Sequence, residues 1–248
     1  MASERDKTAD KAPATTANSA PAATSPRAEI DAFIRRARTL APAPEAGKRG
    51  RLIFALDATM SRQPTWDSAC ALQADMFREA GSIGGLDIQL VYFRGLDECG
   101  ASQWVAQTEK LAQLMSGIDC RGGQTQIGKV LSHARQENEK QRVQALVFVG
   151  DAMEEPIDEL CAKAGELGLC GVPVFMFQEG ADAVAENAYR EIARLSRGAY
   201  CRFDTGAAHQ LGELLRAVAA YAAGGIKALR DLSARKDRGA QLLLAQLK

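Results

Sequence analysis

The chain has 248 residues, 46% of them hydrophobic and 25% charged, an ordinary globular composition long enough for one α/β domain with tails. Its 31 basic and 31 acidic residues cancel, so the chain as a whole supplies no field that would draw nucleic acid or an anionic membrane surface. No stretch approaches the roughly 18 apolar residues of a membrane helix. Met1–Lys7 has mixed charge and no apolar core, so no secretory signal is read there, and a cytoplasmic protein is expected.

Residues 1–29 contain no Leu, Ile, Val or aromatic residue and are rich in Ala, Pro, Ser and Thr. Such a segment buries too little apolar surface to offset its ordering entropy and is expected to be disordered. Residues 30–49 follow as a short amphipathic helix and a Pro-rich linker. Ile30, Phe33, Ile34, Ala37 and Leu40 recur at helical spacing before Ala41-Pro-Ala-Pro44 ends the pattern.

From residue 50 the chain alternates between strand-like and helix-like segments. Strands are predicted at 51–57, 86–94, 144–150, 173–178 and 199–203, with a weaker one at 101–105. Helices are predicted at 65–80, 107–116, 125–140, 157–168, 183–196 and 207–223. Gly81, Gly84-Gly85, Gly168, Gly171, Gly198 and Gly224-Gly225 fall where helices should stop. This pattern predicts an α/β, doubly wound, Rossmann-like fold with a mostly parallel six-stranded sheet and helices on both faces. Only Gly95 to Gly100 separate the second strand from the weak one, too short for a parallel crossover, so the weak strand is expected at an antiparallel edge. The domain is placed at 50–223. Residues 224–248 read as a basic C-terminal helix or tail, with a solvated face and a small apolar patch at Leu242, Leu243, Leu244 and Leu247.

The six cysteines stand singly, with no C-x-x-C pair and no histidine at metal-ligand spacing. Reduced thiols packed as small hydrophobes are expected, and neither a zinc site nor a disulfide.

Three stretches carry the chemistry. Leu52–Leu56 is a continuous apolar run, as in a buried parallel strand, and it ends in Asp57-Ala-Thr59-Met-Ser61. In extended backbone those three oxygen side chains point the same way. Arg121-Gly-Gly-Gln-Thr125 is a tight glycine loop that leaves Thr125 at the mouth of a helix, as a plausible N-cap. Ala145–Gly150 is a second apolar strand, ending in Asp151. Taken singly, each has a plain structural role: Asp57 as a helix cap, Thr125 as an N-cap, Asp151 as the start of a turn before Pro156. In a doubly wound sheet, however, ligands bind at the carboxyl ends of strands where the strand order reverses. Neighbouring strands at 51–57 and 144–150 would bring all five oxygen-bearing residues together there. Hard cations such as Mg²⁺ take oxygen ligands of this kind.

Asp57-Ala-Thr-Met-Ser61, then Thr125 in a Gly-Gly loop, then Asp151 after an apolar strand resembles a von Willebrand factor type A domain. That family's metal-ion-dependent adhesion site is written D-x-S-x-S … T … D, and the resemblance spans roughly 50–223. It implies Mg²⁺ or Mn²⁺ held by Asp57, Thr59, Ser61, Thr125 and Asp151, the two aspartates acting directly or through water. Thr59 departs from the pattern's first serine: it keeps the hydroxyl, adds a methyl and stiffens χ1. The resemblance further implies a bacterial-type adaptor or scaffold that binds a partner's Asp or Glu through the cation. An AAA-type ATPase or larger assembly is among the partners it implies; a membrane is not, and nucleic acid is not favoured.

Competing readings are weaker. Gly123–Lys129 fits G-x-x-x-x-G-K but lacks the final Ser/Thr and a preceding strand, which excludes a nucleotide phosphate loop. A Mg²⁺-dependent phosphohydrolase with Asp57 as nucleophile is the enzymatic alternative. Haloacid dehalogenase-like phosphatases carry a second aspartate two residues on, where this chain has Thr59. Ser132 and His133 are adjacent on a helix and do not face each other. No enzymatic activity is expected. Nucleic-acid association through the basic tail is the third reading.

Overall fold

The computed structural model describes residues 49–59, 63, 65–69, 71, 72, 79, 85–205 and 207–247. The predicted disordered segment, the helix at 30–40 and half of the helix at 65–80 lie outside the described residues, and so does Ser61.

Six strands form one sheet: β1 (Gly50–Asp57), β2 (Leu86–Arg94), β3 (Glu98–Ala101), β4 (Ala145–Gly150), β5 (Val174–Glu179) and β6 (Ala199–Phe203). Their order is β3-β2-β1-β4-β5-β6, parallel throughout except for the antiparallel β2–β3 hairpin. After the helical residues at 65–69, 71, 72 and 79, the helices are α1 (Thr108–Ser116), α2 (Ile127–Lys140), α3 (Ile157–Leu169), α4 (Ala183–Ser196), α5 (Ala208–Ala234) and α6 (Arg238–Leu244). The edge strand lies at 98–101 rather than 101–105; of the expected segment beyond it, Val105 makes a single bridge to Ile88.

Every residue of β1 is buried, because helices cover both faces. Alternation sorts its side chains. Leu52, Phe54 and Leu56 pack with Trp66, Leu215 and Val218 in one layer, while Ile53 and Ala55 pack with Ile127, Leu160 and Tyr189 in the other. The chain runs from β1 outward to β3, returns to β4 on β1's other side and runs outward again. The strand order therefore reverses between β1 and β4, where Leu56 lies opposite Val149. Asp57 ends β1 and Asp151 follows β4 at the same edge.

At the opposite, amino edge sits a matched set of buried charges. The Arg51 guanidinium lies 3.6 Å from the centre of the Trp104 ring and 3.4 Å from the Glu137 carboxylate, which also accepts from Trp104 Nε1 at 2.8 Å and from Lys140 at 2.7 Å. Burial pulls the Arg51 pKa below its usual value despite the nearby acids.

The helix α5 does not stop at Gly224-Gly225. Gly225 takes φ 67°, ψ −161°, and the helix kinks there and continues to Ala234. Only glycine adopts that conformation without strain. Beyond the kink Leu229 and Leu232 are buried, and α6 folds back with Ala240 and Leu243 buried. Asp237 holds this return together: one carboxylate oxygen caps α6 by accepting from Ala240 N at 2.8 Å, and the other accepts from Arg216 Nε at 2.9 Å and Nη2 at 2.5 Å. Finally, the Gln246 side chain accepts from Tyr200 N at 2.9 Å and donates to Tyr200 O at 2.8 Å, occupying the outer edge of β6.

Asp237→Ala removes the cap and strands Arg216, and should lower unfolding free energy by about 2 kcal/mol. Asp237→Asn keeps an acceptor for Ala240 and should lose about half of that. Urea denaturation of the three proteins checks both the direction and the order.

Candidate metal centre

The site starts with Asp57, 3% exposed at the end of β1. Its Oδ1 accepts from Thr59 N at 2.8 Å, a local turn that points the Asp57 carboxylate and the Thr59 residue toward the same edge. Ala58 between them is held on both sides. Its N–H donates to Phe93 O at 3.0 Å, and its carbonyl accepts from Arg121 N at 2.9 Å. The glycine loop is therefore tied directly to the segment after β1.

That loop is shaped by a close backbone approach. A Cβ on Gly123 would lie 2.2 Å from Gly95 O, and Gln124 N donates to the same carbonyl at 3.0 Å. The Gln126 side chain adds bonds to the carbonyls of Arg94 at 3.2 Å and Glu98 at 3.3 Å. The β2–β3 hairpin thus props the loop that carries Thr125.

Thr125 is not the N-cap of α2. Gln126 stands at that position, and no local side chain caps the helix. The N-terminus of α2 is satisfied instead by the loop after β4. Glu155 accepts from Ile127 N and, at 2.9 Å, from Gly128 N. Burial holds the Glu155 carboxyl above the usual carboxylate range, against the pull of these two amides. Thr125 and Glu154 form a reciprocal pair: Thr125 N donates to Glu154 Oε2 at 2.8 Å, and Glu154 N donates to Thr125 Oγ1 at 3.1 Å. A hydroxyl oxygen has two lone pairs, so this contact leaves Thr125 Oγ1 one for a further partner.

Asp57, Thr59, Thr125 and Asp151 line one cavity of about 190 Å³, with Gly122 and Gly123 supplying backbone. Four of the five predicted residues are therefore brought together; Ser61 lies outside the described residues. Glu154 also lines the cavity and was missed by sequence reasoning, as was Glu155. The signal available was the acidic pair immediately before Pro156 and a helix, but nothing local says that its targets lie across the chain on α2.

The donor set fits a hard divalent cation. It offers carboxylate and hydroxyl oxygens and no sulfur or imidazole. Among the described residues, no three His, Cys, Asp or Glu side chains are close enough to hold an ion by themselves, so a cation here would draw on the threonine hydroxyls as well as the aspartates. No described Lys or Arg lines the cavity.

Glu155→Ala should leave two amides at the buried start of α2 without their acceptor and lower stability by about 1–2 kcal/mol. Hydrogen exchange should show faster exchange at Ile127 and Gly128 while the core strands stay protected; unchanged exchange at those amides would contradict the assignment.

No family model and no curated protein matches this chain. Solved structures do. Proximal thread matrix protein 1 from the mussel byssus, solved with zinc in its metal-ion-dependent adhesion motif, is similar at TM-score 0.57 and 15% identity, over 77% of this chain and 51% of that one. The von Willebrand factor domain of the type V pili tip protein Mfa5 from Porphyromonas gingivalis is similar at TM-score 0.56 and 11% identity, over 69% and 94%. The type A domain of SpRpn10 is similar at TM-score 0.51 and 13% identity, over 72% and 98%. Identities this low speak to the fold alone. The chain has the von Willebrand factor type A fold, with a doubly wound six-stranded sheet and one antiparallel edge strand.

Proposed function

We propose that this protein is a metal-dependent protein-interaction module. A divalent cation, Mg²⁺ or Mn²⁺, is held by Asp57, Thr59, Thr125 and Asp151, with Ser61 completing the set on the strength of the D-x-T-x-S spacing. The observation that carries the reading is the meeting of Asp57, Thr59, Thr125 and Asp151 in one cavity at the reversal of strand order. Thr125 and Asp151 stand 68 and 94 positions beyond Asp57, and oxygen donors from three such separate stretches have little reason to converge there for stability alone.

When bound, the cation supplies a Lewis-acidic contact for an oxygen of the partner, an Asp or Glu side chain. The chain's own residues do the rest. Asp57 and Asp151 balance the cation's charge. The Thr59 N–H fixes the Asp57 carboxylate, and the pair with Glu154 fixes Thr125. The resemblance suggests an AAA-type ATPase or another large assembly as the partner. The setting proposed is the reducing cytoplasm, as expected from the singly spaced cysteines of the sequence. No helix among the described residues is long and apolar enough to cross a membrane.

A binding role is favoured over an enzymatic one by the imidazoles. His133 Nε2 is paired with Gln89 at 2.8 Å, and His209 is exposed at the start of α5 beside Glu213; neither lines the cavity.

Asp151→Asn keeps the side chain's size and one oxygen but removes a charge. Wild type should gain about 2.7 kcal/mol of stability at a metal concentration 100 times Kd. The variant should keep its far-UV circular dichroism spectrum and lose that gain. An equal metal-induced rise in melting temperature would sink the reading. Thr59→Ser should preserve Mn²⁺ affinity and Thr59→Ala should reduce it, as measured by isothermal titration. Co-purification with and without EDTA should then retain the partner only in the metal-containing arm.

A further inference from the structure

We propose that the turn after β2 sets the cation affinity of this site through Gln126 and Lys129, which fasten that turn to the backbone beyond Thr125. The inference rests on the metal-dependent reading above and gives a positioning role to two residues outside the adhesion-site pattern.

Gln126 follows Thr125 directly and is only 4% exposed. It stands at the N-cap position of α2, yet its side chain makes no capping bond to the helix. The amide turns to the β2–β3 hairpin instead. Its Nε2 donates to Arg94 O at 3.2 Å and Glu98 O at 3.3 Å, with Gly95 O at 3.5 Å, and its Oε1 accepts from Lys129 Nζ at 3.0 Å. Carbonyls only accept and an ammonium only donates, so the amide has one orientation here. Lys129 completes the fastening by donating to Asp97 O at 3.1 Å and to the Asp97 carboxylate.

Thr125 is thereby bracketed. Before it, Gln124 N donates to Gly95 O at 3.0 Å; after it, Gln126 reaches the carbonyls of Arg94 and Glu98. Both anchors belong to one turn, so the place of Thr125 follows the place of the turn. The reciprocal pair with Glu154 holds the same residue from the loop after β4. A buried amide engaged at both ends resists displacement, because a freed donor or acceptor would stay out of water. Groups that orient a metal ligand change affinity on the order of 10- to 100-fold when they are replaced.

Two substitutions separate geometry from charge. Gln126→Glu keeps the side chain's size but turns an acceptor toward the Arg94 and Glu98 carbonyls. Lys129→Met keeps most of the stem and breaks the bonds to Gln126 and Asp97. Each makes the neighbourhood more negative, so by field alone each would tighten a cation; a positioning role predicts the reverse. Mn²⁺ affinity is read from free Mn²⁺ by electron paramagnetic resonance, and amide hydrogen exchange is followed in the metal-free proteins. Gln126→Glu should bind Mn²⁺ about 10-fold more weakly, and Lys129→Met several-fold more weakly. Without metal, the amides of Gln124 and Thr125 should exchange faster in both, while β1 and β4 stay protected. In a Thr125→Ala background, Gln126→Glu should add less than about 2-fold, because its route to the cation is already gone.

Unchanged or tighter Mn²⁺ binding in either variant overturns the proposal and leaves the metal site standing. A full further loss in the Thr125→Ala background overturns it too, since Gln126 would then act by another route. So does wild-type affinity in Thr125→Ala alone. If Gln126→Glu loses protection throughout the sheet, Lys129→Met, at a half-exposed side chain, decides by the same outcomes. No Mn²⁺ binding by wild type overturns this inference together with the reading beneath it.

Discussion

The structure depends on β1 lying between β2 and β4, parallel to both. That one arrangement makes β1 wholly buried and splits its side chains between two helical layers. It also leaves a crevice at the carboxyl edge into which two loops from distant parts of the chain descend. Asp57 reaches the crevice because it is the last residue of β1; Asp151 reaches it because β4 is in register with β1, ends level with it at Gly150, and Asp151 comes next. The oxygen cluster is thus a consequence of strand order, and the loops only refine it.

The two ends of the sheet treat charge in opposite ways. At the amino edge Arg51 is enclosed by Trp104 and Glu137, and Glu137 in turn is shared with Lys140. Buried charge there is matched within the protein, which is the condition for keeping it out of water at tolerable cost. At the carboxyl edge the acids collect without described bases among them.

How much of this was legible in the sequence follows from where each signal resides. The buried strands were plain because a continuous apolar run such as Leu52–Leu56 leaves little choice, and β2 and β6 fall at the predicted residues. The edge strand was displaced by a few residues because Glu98–Ala101 is half exposed and carries no apolar pattern. Thr125 has the local signature of an N-cap, yet its hydroxyl and N–H serve Glu154, and the helix start is closed by Glu155, 28 residues from Ile127. Gly224-Gly225 read as a stop. Whether a kinked helix resumes depends on cover for Leu229 and Leu232, which are buried in the same core cluster as Ala240 and Leu243 of α6. At Thr125 and at Gly224-Gly225 a tertiary partner replaced a local one.

The Gln246 contact with Tyr200 reaches beyond local packing. A side-chain amide that pairs with both the N–H and the carbonyl of one strand residue imitates a neighbouring strand without continuing the ladder. The sheet is closed on that side by a single residue that offers no further template. A version of the protein trimmed at the end of the doubly wound domain would keep every strand and every cavity residue, yet it would carry a naked β6. Strand edges of that kind recruit copies of themselves. The Gln246 contact is in this sense a safeguard against self-association through β6, and a chain cut before it would leave that edge open.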